Sequence, residues 1–155
     1  MKSFLVCLAF FVLTCTKVSG QTNEMAEFSG MVKYETGGAG TITVIAEGIG
    51  KNRAKSTVNA IASAIYTVLF VGIPGSQYDI PMIADENKKN NAVVKDILNR
   101  GYSAFIIEST FIDEIKQTRK MDGVRGKKDI YRITINCSAL RSYLEKNNVI
   151  RKFGI

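Results

Sequence analysis

Apolar and polar residues alternate along the chain with two different periods, which distinguish strands from helices. Residues 41–47 alternate with a period of two, as in a strand with one buried face. From 54 to 69 the apolar residues recur at every third or fourth position, which predicts an amphipathic helix. Gly72 and Pro74 are expected to end that helix. Its expected apolar stripe consists of Ala54, Val58, Ile61, Ala62, Ile65, Val68 and Leu69.

The second half of the chain predicts a helix, two strands and a last helix. Asp85 is expected to cap a helix that reaches about Arg100. Residues 103–112 and 129–136 have the character of strands, and the Gly-containing segment between them indicates an antiparallel hairpin. Ser138 is expected to cap the last helix. On the first of these strands, one face is expected to carry Phe105, Ile107 and Phe111.

Together these elements predict a single small α/β domain of the α+β kind, with the order β-α-α-β-β-α. Its helices are expected to pack on one face of the sheet. A chain of 155 residues is long enough for one well-buried domain and too short for two. The domain is expected to span residues 41–155. The polar, Gly-containing stretch at 21–40 is expected to be a flexible tether with a short strand around 31–35.

Residues 1–20 have the composition of a cleavable signal peptide. Lys2 provides a short positive region, and the apolar stretch 4–14 has the length of a signal core but is too short to cross a bilayer. Val18-Ser19-Gly20 then supplies a suitable cleavage site before Gln21. We therefore expect the chain to be exported, to a periplasmic, outer-membrane-associated or secreted location.

Two forms of membrane association remain open alternatives. Cys15 could carry a lipid anchor, although Thr14 and Val12 fit the usual lipidation pattern poorly. The uncharged segment 56–78 lies near the lower length limit for a membrane span. We favour a buried core helix there, because polar residues recur within it and Gly72 ends it early.

Composition argues against most kinds of catalysis. The chain contains no His, which removes the usual general base, the Ser-His and Cys-His pairs and nearly all catalytic zinc sites. Cleavage of the signal would remove Cys7 and Cys15, and the remaining Cys137 is interpreted as a small buried apolar residue. Asp113 and Glu114 are neighbours on a strand, so they face opposite sides. We expect no catalytic residue, cofactor or metal, with a small carboxylate hydrolase as the alternative.

A glycine motif lies between the first strand and the first helix, where phosphate-binding loops occur. Gly48-Ile49-Gly50-Lys51 fits neither the P-loop spacing nor the dinucleotide-binding spacing, since Arg53 stands where a third glycine would be required. We interpret residues 48–50 as a tight turn.

The formal net charge is +7, of which Lys2 and Lys17 contribute two within the signal. The remaining charge is scattered except for one cluster at the expected hairpin tip, where a single Asp122 opposes five cations. A solvated loop and a contact site for an anionic partner are both compatible with this cluster, whereas nucleic acid is not expected in an exported chain that lacks interleaved aromatic residues. The candidate contact residues are Arg119, Lys120, Arg125, Lys127 and Lys128.

Two segments resemble a known family. One is residues 41–51, with Glu47-Gly48-Ile49-Gly50 followed by a helix containing recurrent Ala, and the other is residues 131–155. The first pattern resembles the N-terminal domain of flagellar assembly protein T and the related LPP20-like envelope lipoproteins. That resemblance implies a periplasmic or outer-membrane-associated α/β module that supports assembly of an envelope machine, without catalysis. Together with the predicted export and the lack of catalytic groups, it leads us to expect an envelope protein or a cell-wall component as the partner. The basic cluster leaves an anionic lipid surface open as another partner. The resemblance carries over no functional residue.

Overall fold

The computed structural model describes residues 30–115, 120–121, 124–125 and 127–152. The expected signal peptide, including Cys15, lies outside these ranges. The described residues form one α+β domain, as the sequence predicts. Its strands are β1 (Val32–Gly38), β2 (Thr41–Gly50), β3 (Ile106–Ile115), β4 (Lys120–Met121), β5 (Val124–Arg125) and β6 (Lys127–Asn136). Its helices are α1 (Arg53–Phe70), α2 (Ala92–Asn99) and α3 (Cys137–Lys146), with 3₁₀ turns at Glu86–Asn90 and Gly101–Phe105.

The main sheet is antiparallel and has the strand order β1-β2-β6-β3, while β4 and β5 pair with each other in a separate small ladder. The central pair runs in unbroken register from Thr41 opposite Asn136 to Gly50 opposite Lys127. One face of this pair is buried beneath the helices, because alternate residues along both strands are apolar. The buried side chains of this face include Ile42, Val44, Ala46, Tyr131, Ile133 and Ile135.

Glycines in β2 allow the first helix to lie directly on the strand. A Cβ atom placed on Gly48 would be 2.0 Å from the carbonyl oxygen of Ser56, and one on Gly50 would be 2.4 Å from the Ser56 backbone nitrogen. Both distances are shorter than any tolerated contact, so only glycine fits. The turn predicted at 48–50 is therefore wrong: these residues continue β2, and the chain turns at 51–52 instead.

Helix α1 buries a face rotated from the predicted stripe. Val58 is 46% exposed and Ala54 is also exposed, whereas Ser56 and Ser63 are buried. The rotation has a physical cause, because Ser56 faces the sheet and forms hydrogen bonds there. The later part of the stripe, including Ile65 and its neighbours, is buried as predicted. Within the described residues, every helix is too short or too polar to traverse a lipid bilayer, and the segment proposed as a span contributes α1 to the core.

The segment between α1 and β3 is more broken than the sequence suggests. Asp85 does cap a helix, but that helix is only a 3₁₀ turn, and Asn91 caps the separate α2 by accepting a hydrogen bond from the Val93 backbone. Strand β3 begins at Ile106, three residues later than predicted, after a second 3₁₀ turn. A bulge falls at Ile107, whose side chain is 58% exposed rather than on the buried face with Phe105.

Three predicted boundaries also move. Residues 32–38 form strand β1, so the domain begins before residue 41, and this part of the expected tether at 21–40 belongs to the sheet. Strand β6 begins at Lys127 instead of Asp129. Helix α3 is capped by Asn136, which accepts a hydrogen bond from the Ala139 backbone, and not by Ser138.

Helix α3 ends in a tight reversal that returns the chain to the core. Asn148 has a positive φ of 56°, and its N–H donates to the carbonyl of Glu145 while the N–H of Val149 donates to that of Leu144. This is the hydrogen-bond pattern of a Schellman cap, in which an apolar contact usually accompanies the two bonds. Val149 is 1% exposed and Leu144 is fully buried, so the cap fixes the position of the residues that follow.

Candidate functional site

The first helix and the sheet meet at a buried cluster of polar side chains, Ser56, Asp129 and Tyr131. Ser56 lies near the start of α1, and the other two residues occupy inward positions of β6. The Ser56 hydroxyl donates to Oδ2 of Asp129 and lies 2.7 Å from the hydroxyl of Tyr131. The Tyr131 hydroxyl is 3.2 Å from the same carboxylate oxygen. We call these three residues the buried triad.

The hydroxyl groups of Ser56 and Tyr131 both donate to the same carboxylate oxygen, Oδ2 of Asp129. The carbonyl oxygen of Arg53 is a further acceptor, 3.0 Å from the Ser56 hydroxyl and 3.3 Å from that of Tyr131. A carboxylate removed from water needs such donors, since leaving it without them costs several kcal/mol in principle. The ring of Phe111 packs against the ring of Tyr131. The guanidinium of Arg53 lies over the Phe111 ring, 3.9 Å from the ring centroid.

The buried triad combines a hydroxyl with a carboxylate, two functional groups that occur together in some hydrolase active sites. Its surroundings argue against that use, because Ser56 is 0% exposed and Asp129 and Tyr131 are each 2% exposed. A substrate carbonyl therefore has no path to the Ser56 oxygen in this conformation. The arrangement joins α1 to β6, and this structural role explains why polar residues occupy core positions.

The thiol of Cys137 is buried at the start of α3, as its position in the sequence predicts. Burial raises its pKa to about 12. The reactive form of cysteine is the thiolate, so at neutral pH this side chain remains a protonated, apolar group.

The carboxylates of β3 are separated by the strand. Asp113 is opposite Ile130, whereas Glu114 is opposite Asp129, so the two lie on different faces of the sheet, as expected. Glu114 forms an ion pair of 2.9 Å with Lys127. Across the part of the chain that the structure describes, the Cys, Asp and Glu side chains form no group able to hold a metal ion.

The predicted basic cluster is divided among several structural settings. Lys127 and Lys128 belong to β6 rather than to a loop, and Lys128 forms an ion pair of 2.6 Å with Glu47. Lys120 and Arg125 are cross-strand partners in the small ladder of β4 and β5. Arg119 lies outside the described residues. Two of the five cations are thus paired within the domain, and two others occupy opposite register positions of the small ladder.

The sheet face opposite α1 is polar and internally bonded. Arg132 on β6 reaches across β2 to Glu35 of β1, with two hydrogen bonds of 2.7 Å between guanidinium and carboxylate. Thr43 and Thr134 share a hydrogen bond of 3.0 Å between them. We call this surface the outer face. Its hydrogen bonds join three neighbouring strands.

A second basic site, which the sequence pattern did not reveal, is an open cleft of about 470 Å³ beside the end of α3. It brings Lys88, from the 3₁₀ turn ahead of α2, next to the last described residues of the chain. The sequence analysis identified neither the cleft nor its members, because Lys88 and Arg151 lie far apart in the chain. The residues lining this cleft, which we call the tail cleft, are Lys88, Asn148, Ile150, Arg151 and Lys152.

Comparisons of the chain with protein-family models, with curated proteins and with solved structures gave no match.

Proposed function

We propose that this chain is an exported, non-enzymatic module of the cell envelope that binds an acidic face of an envelope protein through its β4–β5 hairpin. The observation that carries the proposal is the register of this hairpin, where Lys120 is opposite Arg125. Like charges at directly opposite positions of an antiparallel pair repel each other. An acidic partner would relieve that repulsion, whereas an isolated domain gains nothing from it.

The position of the hairpin supports a role in contact. It lies between β3 and β6, which are the strands that form the long antiparallel pair at the edge of the sheet. Lys127, at the base of the hairpin, already uses its charge on Glu114. The proposed contact therefore uses the charges of β4 and β5, which lie outside the main sheet.

Export is proposed from the sequence of the first 20 residues, with its Lys2, its apolar core and its small residues before Gln21. The inaccessibility of several reactive side chains supports a binding role rather than a catalytic one. The Ser56 hydroxyl and Asp129 carboxylate of the buried triad and the Cys137 thiol are all buried. The resemblance to envelope assembly modules, carried by residues 41–51, leads to the same proposal.

The hairpin contact can be tested with matched charge reversals. The mature chain starting at Gln21 would be immobilised and exposed to detergent-solubilised envelope proteins from the cells that produce it. We expect Lys120→Glu with Arg125→Glu to lose the proteins retained by the wild type. Lys95→Glu with Arg100→Glu is the control, because it reverses one lysine and one arginine at exposed positions of and beside α2.

Equal retention by the wild type and both variants would overturn the proposed contact. So would retention by anionic lipid vesicles in place of any protein, which would identify a membrane surface as the partner. Cell fractionation tests export separately: we expect a processed chain in the envelope fraction with Gln21 as its first residue. A full-length chain in the cytosol would contradict the export proposal.

A further inference from the structure

The tail cleft concentrates positive charge contributed by two distant segments. Lys88 comes from the 3₁₀ turn that Asp85 caps, and Arg151 and Lys152 follow the Schellman cap of α3. Asn148 adds an amide that can donate hydrogen bonds, and Ile150 adds a half-buried apolar wall. The cleft thus offers three cations, one amide and one apolar surface.

The fold ties together the two segments that contribute cations to the tail cleft. The ammonium of Lys88 donates a hydrogen bond to the carbonyl of Val149, which ties the 3₁₀ turn to the tail. An ammonium group has three donors, so two remain for a ligand. Val149 is itself fixed by its buried side chain and by its bond to Leu144. The two segments are therefore positioned before any ligand arrives.

These charges are also uncompensated within the described residues. None of the ion pairs there involves Lys88, Arg151 or Lys152. The nearest acidic residues in sequence to Lys88 are otherwise engaged: Asp85 accepts from the Asn87 backbone, and Glu86 pairs with Lys89. Positive charges in one cleft repel one another, and a bound anion offsets this repulsion.

We propose that the tail cleft binds a phosphate monoester group. Such a group carries a charge of about −1.5 to −2 and three acceptor oxygens, which match the three cations and their donors. A volume of about 470 Å³ exceeds what a bare phosphate fills and lies within the range of about 300–1,000 Å³ typical of small-molecule sites. The Ile150 wall would contact the organic part of the ligand. The 3₁₀ turn that carries Lys88 packs beside the C-terminal half of α1, since its Lys89 is 5.5 Å from the rings of Tyr66 and Phe70. The cleft shares no lining residue with the β4–β5 hairpin.

Phosphate monoesters occur both as soluble metabolites and as lipid headgroups, so the experiment uses one probe of each kind. Binding of glycerol 3-phosphate to the mature chain would be measured by titration calorimetry and by NMR shifts. Binding to vesicles of phosphatidylcholine with and without phosphatidic acid would be measured by sedimentation. The test variant is Arg151→Gln with Lys152→Gln, which changes two exposed residues. The control is Lys51→Gln with Lys55→Gln, which removes the same charge at the other end of α1.

We expect the test variant to bind the preferred probe at least about tenfold more weakly, because two charge-assisted contacts are lost, while the control binds within about twofold of the wild type. Equal melting temperatures for the variants would show that both fold. Binding of glycerol 3-phosphate supports a soluble ligand, and binding only to phosphatidic acid vesicles supports a lipid headgroup. Absence of binding to both probes, or equal losses in the two variants, would overturn the proposal. Because the hairpin is unchanged throughout, this result is independent of the proposed protein contact.

Discussion

The hydroxyl of Ser56 donates a hydrogen bond to the carboxylate of Asp129 across the junction of the first helix and the sheet. The two residues are 73 positions apart in the chain, and both are buried. The bond explains two other features of the junction. Gly48 and Gly50 bring the helix close enough for the bond to form, and Tyr131 completes the donor set. A carboxylate in the core is tolerated because this local geometry supplies its partners.

Removing the Ser56 hydroxyl should destabilise the domain. In Ser56→Ala the Asp129 carboxylate loses one donor and retains Tyr131, so we expect a loss of about 1–3 kcal/mol in the free energy of unfolding. Urea denaturation of the mature chain measures it. Ser63→Ala is a matched control in the same helix, since Ser63 is 1% exposed and its hydroxyl has no hydrogen-bond partner among the described residues. It should cost little or increase stability. Equal losses for the two serines would contradict a specific role for the Ser56 bond.

Adding a methyl group at Gly48 should be far more damaging. The new Cβ would lie 2.0 Å from the Ser56 carbonyl oxygen, and relief requires the helix to move away from β2. We expect Gly48→Ala to lose more than about 3 kcal/mol or to fail to fold, as severe overpacking does. Gly38→Ala provides the comparison, because its Cβ would approach only the Thr41 hydroxyl at 3.8 Å. Thermal unfolding followed by circular dichroism separates the two. Similar melting temperatures for both variants would refute the close-packing argument.

The elements predicted most accurately were those with strict local patterns. Strand β6 alternates without exception from Tyr131 to Asn136, and its buried face is the predicted one. The first helix was predicted in position, but its buried face was not. A periodicity argument counts Ser56 as polar and places it outward, whereas Asp129 gives this serine a partner inside. Such a long-range pair leaves no trace in the local period of apolar residues.

The candidate sites were harder to predict for the same reason. The hairpin cluster was visible because its residues are close in sequence, although Lys128 proved to be paired with Glu47 of a neighbouring strand. The tail cleft depends on the Asn148 reversal, which brings residues more than 60 positions apart into one site. The sequence offers one local signal, the adjacent asparagines Asn147 and Asn148, which are typical of a helix end. This signal does not indicate the direction that the chain takes after the helix.

The thiol of Cys137 should be unreactive in the folded chain. Burial raises its pKa to about 12, so the thiolate fraction at pH 8 is very small, and the sulfur is also shielded. We expect slow reaction of the mature chain with a disulfide reagent in buffer and rapid reaction in concentrated urea. Fast labelling without denaturant would contradict this burial.

The raised pKa of the Cys137 thiol also makes the stability of the fold depend on alkaline pH. We expect the free energy of unfolding to decline as the pH rises from the ordinary thiol pKa of 9.0 toward 12, because the unfolded chain releases this proton first.

The ion pair between Arg132 and Glu35 on the outer face should make the stability of the fold depend on pH in the acidic range. Hydrogen bonds from Arg132 hold the pKa of Glu35 below its ordinary value of 4.5. A depressed carboxyl pKa stabilises the fold above the unfolded-state pKa, and this contribution is lost as the pH falls through the folded-state pKa. Glu35→Gln should therefore be less stable than the wild type at pH 7, with the difference shrinking below pH 4.5. Asp96→Asn, which removes an exposed carboxylate on α2, is the control for a general charge effect. Urea denaturation at pH 7 and pH 3 measures the stability of the wild type and both variants. If the wild type exceeds Glu35→Gln in stability by the same amount at the two pH values, the ion pair between Arg132 and Glu35 does not contribute to folding.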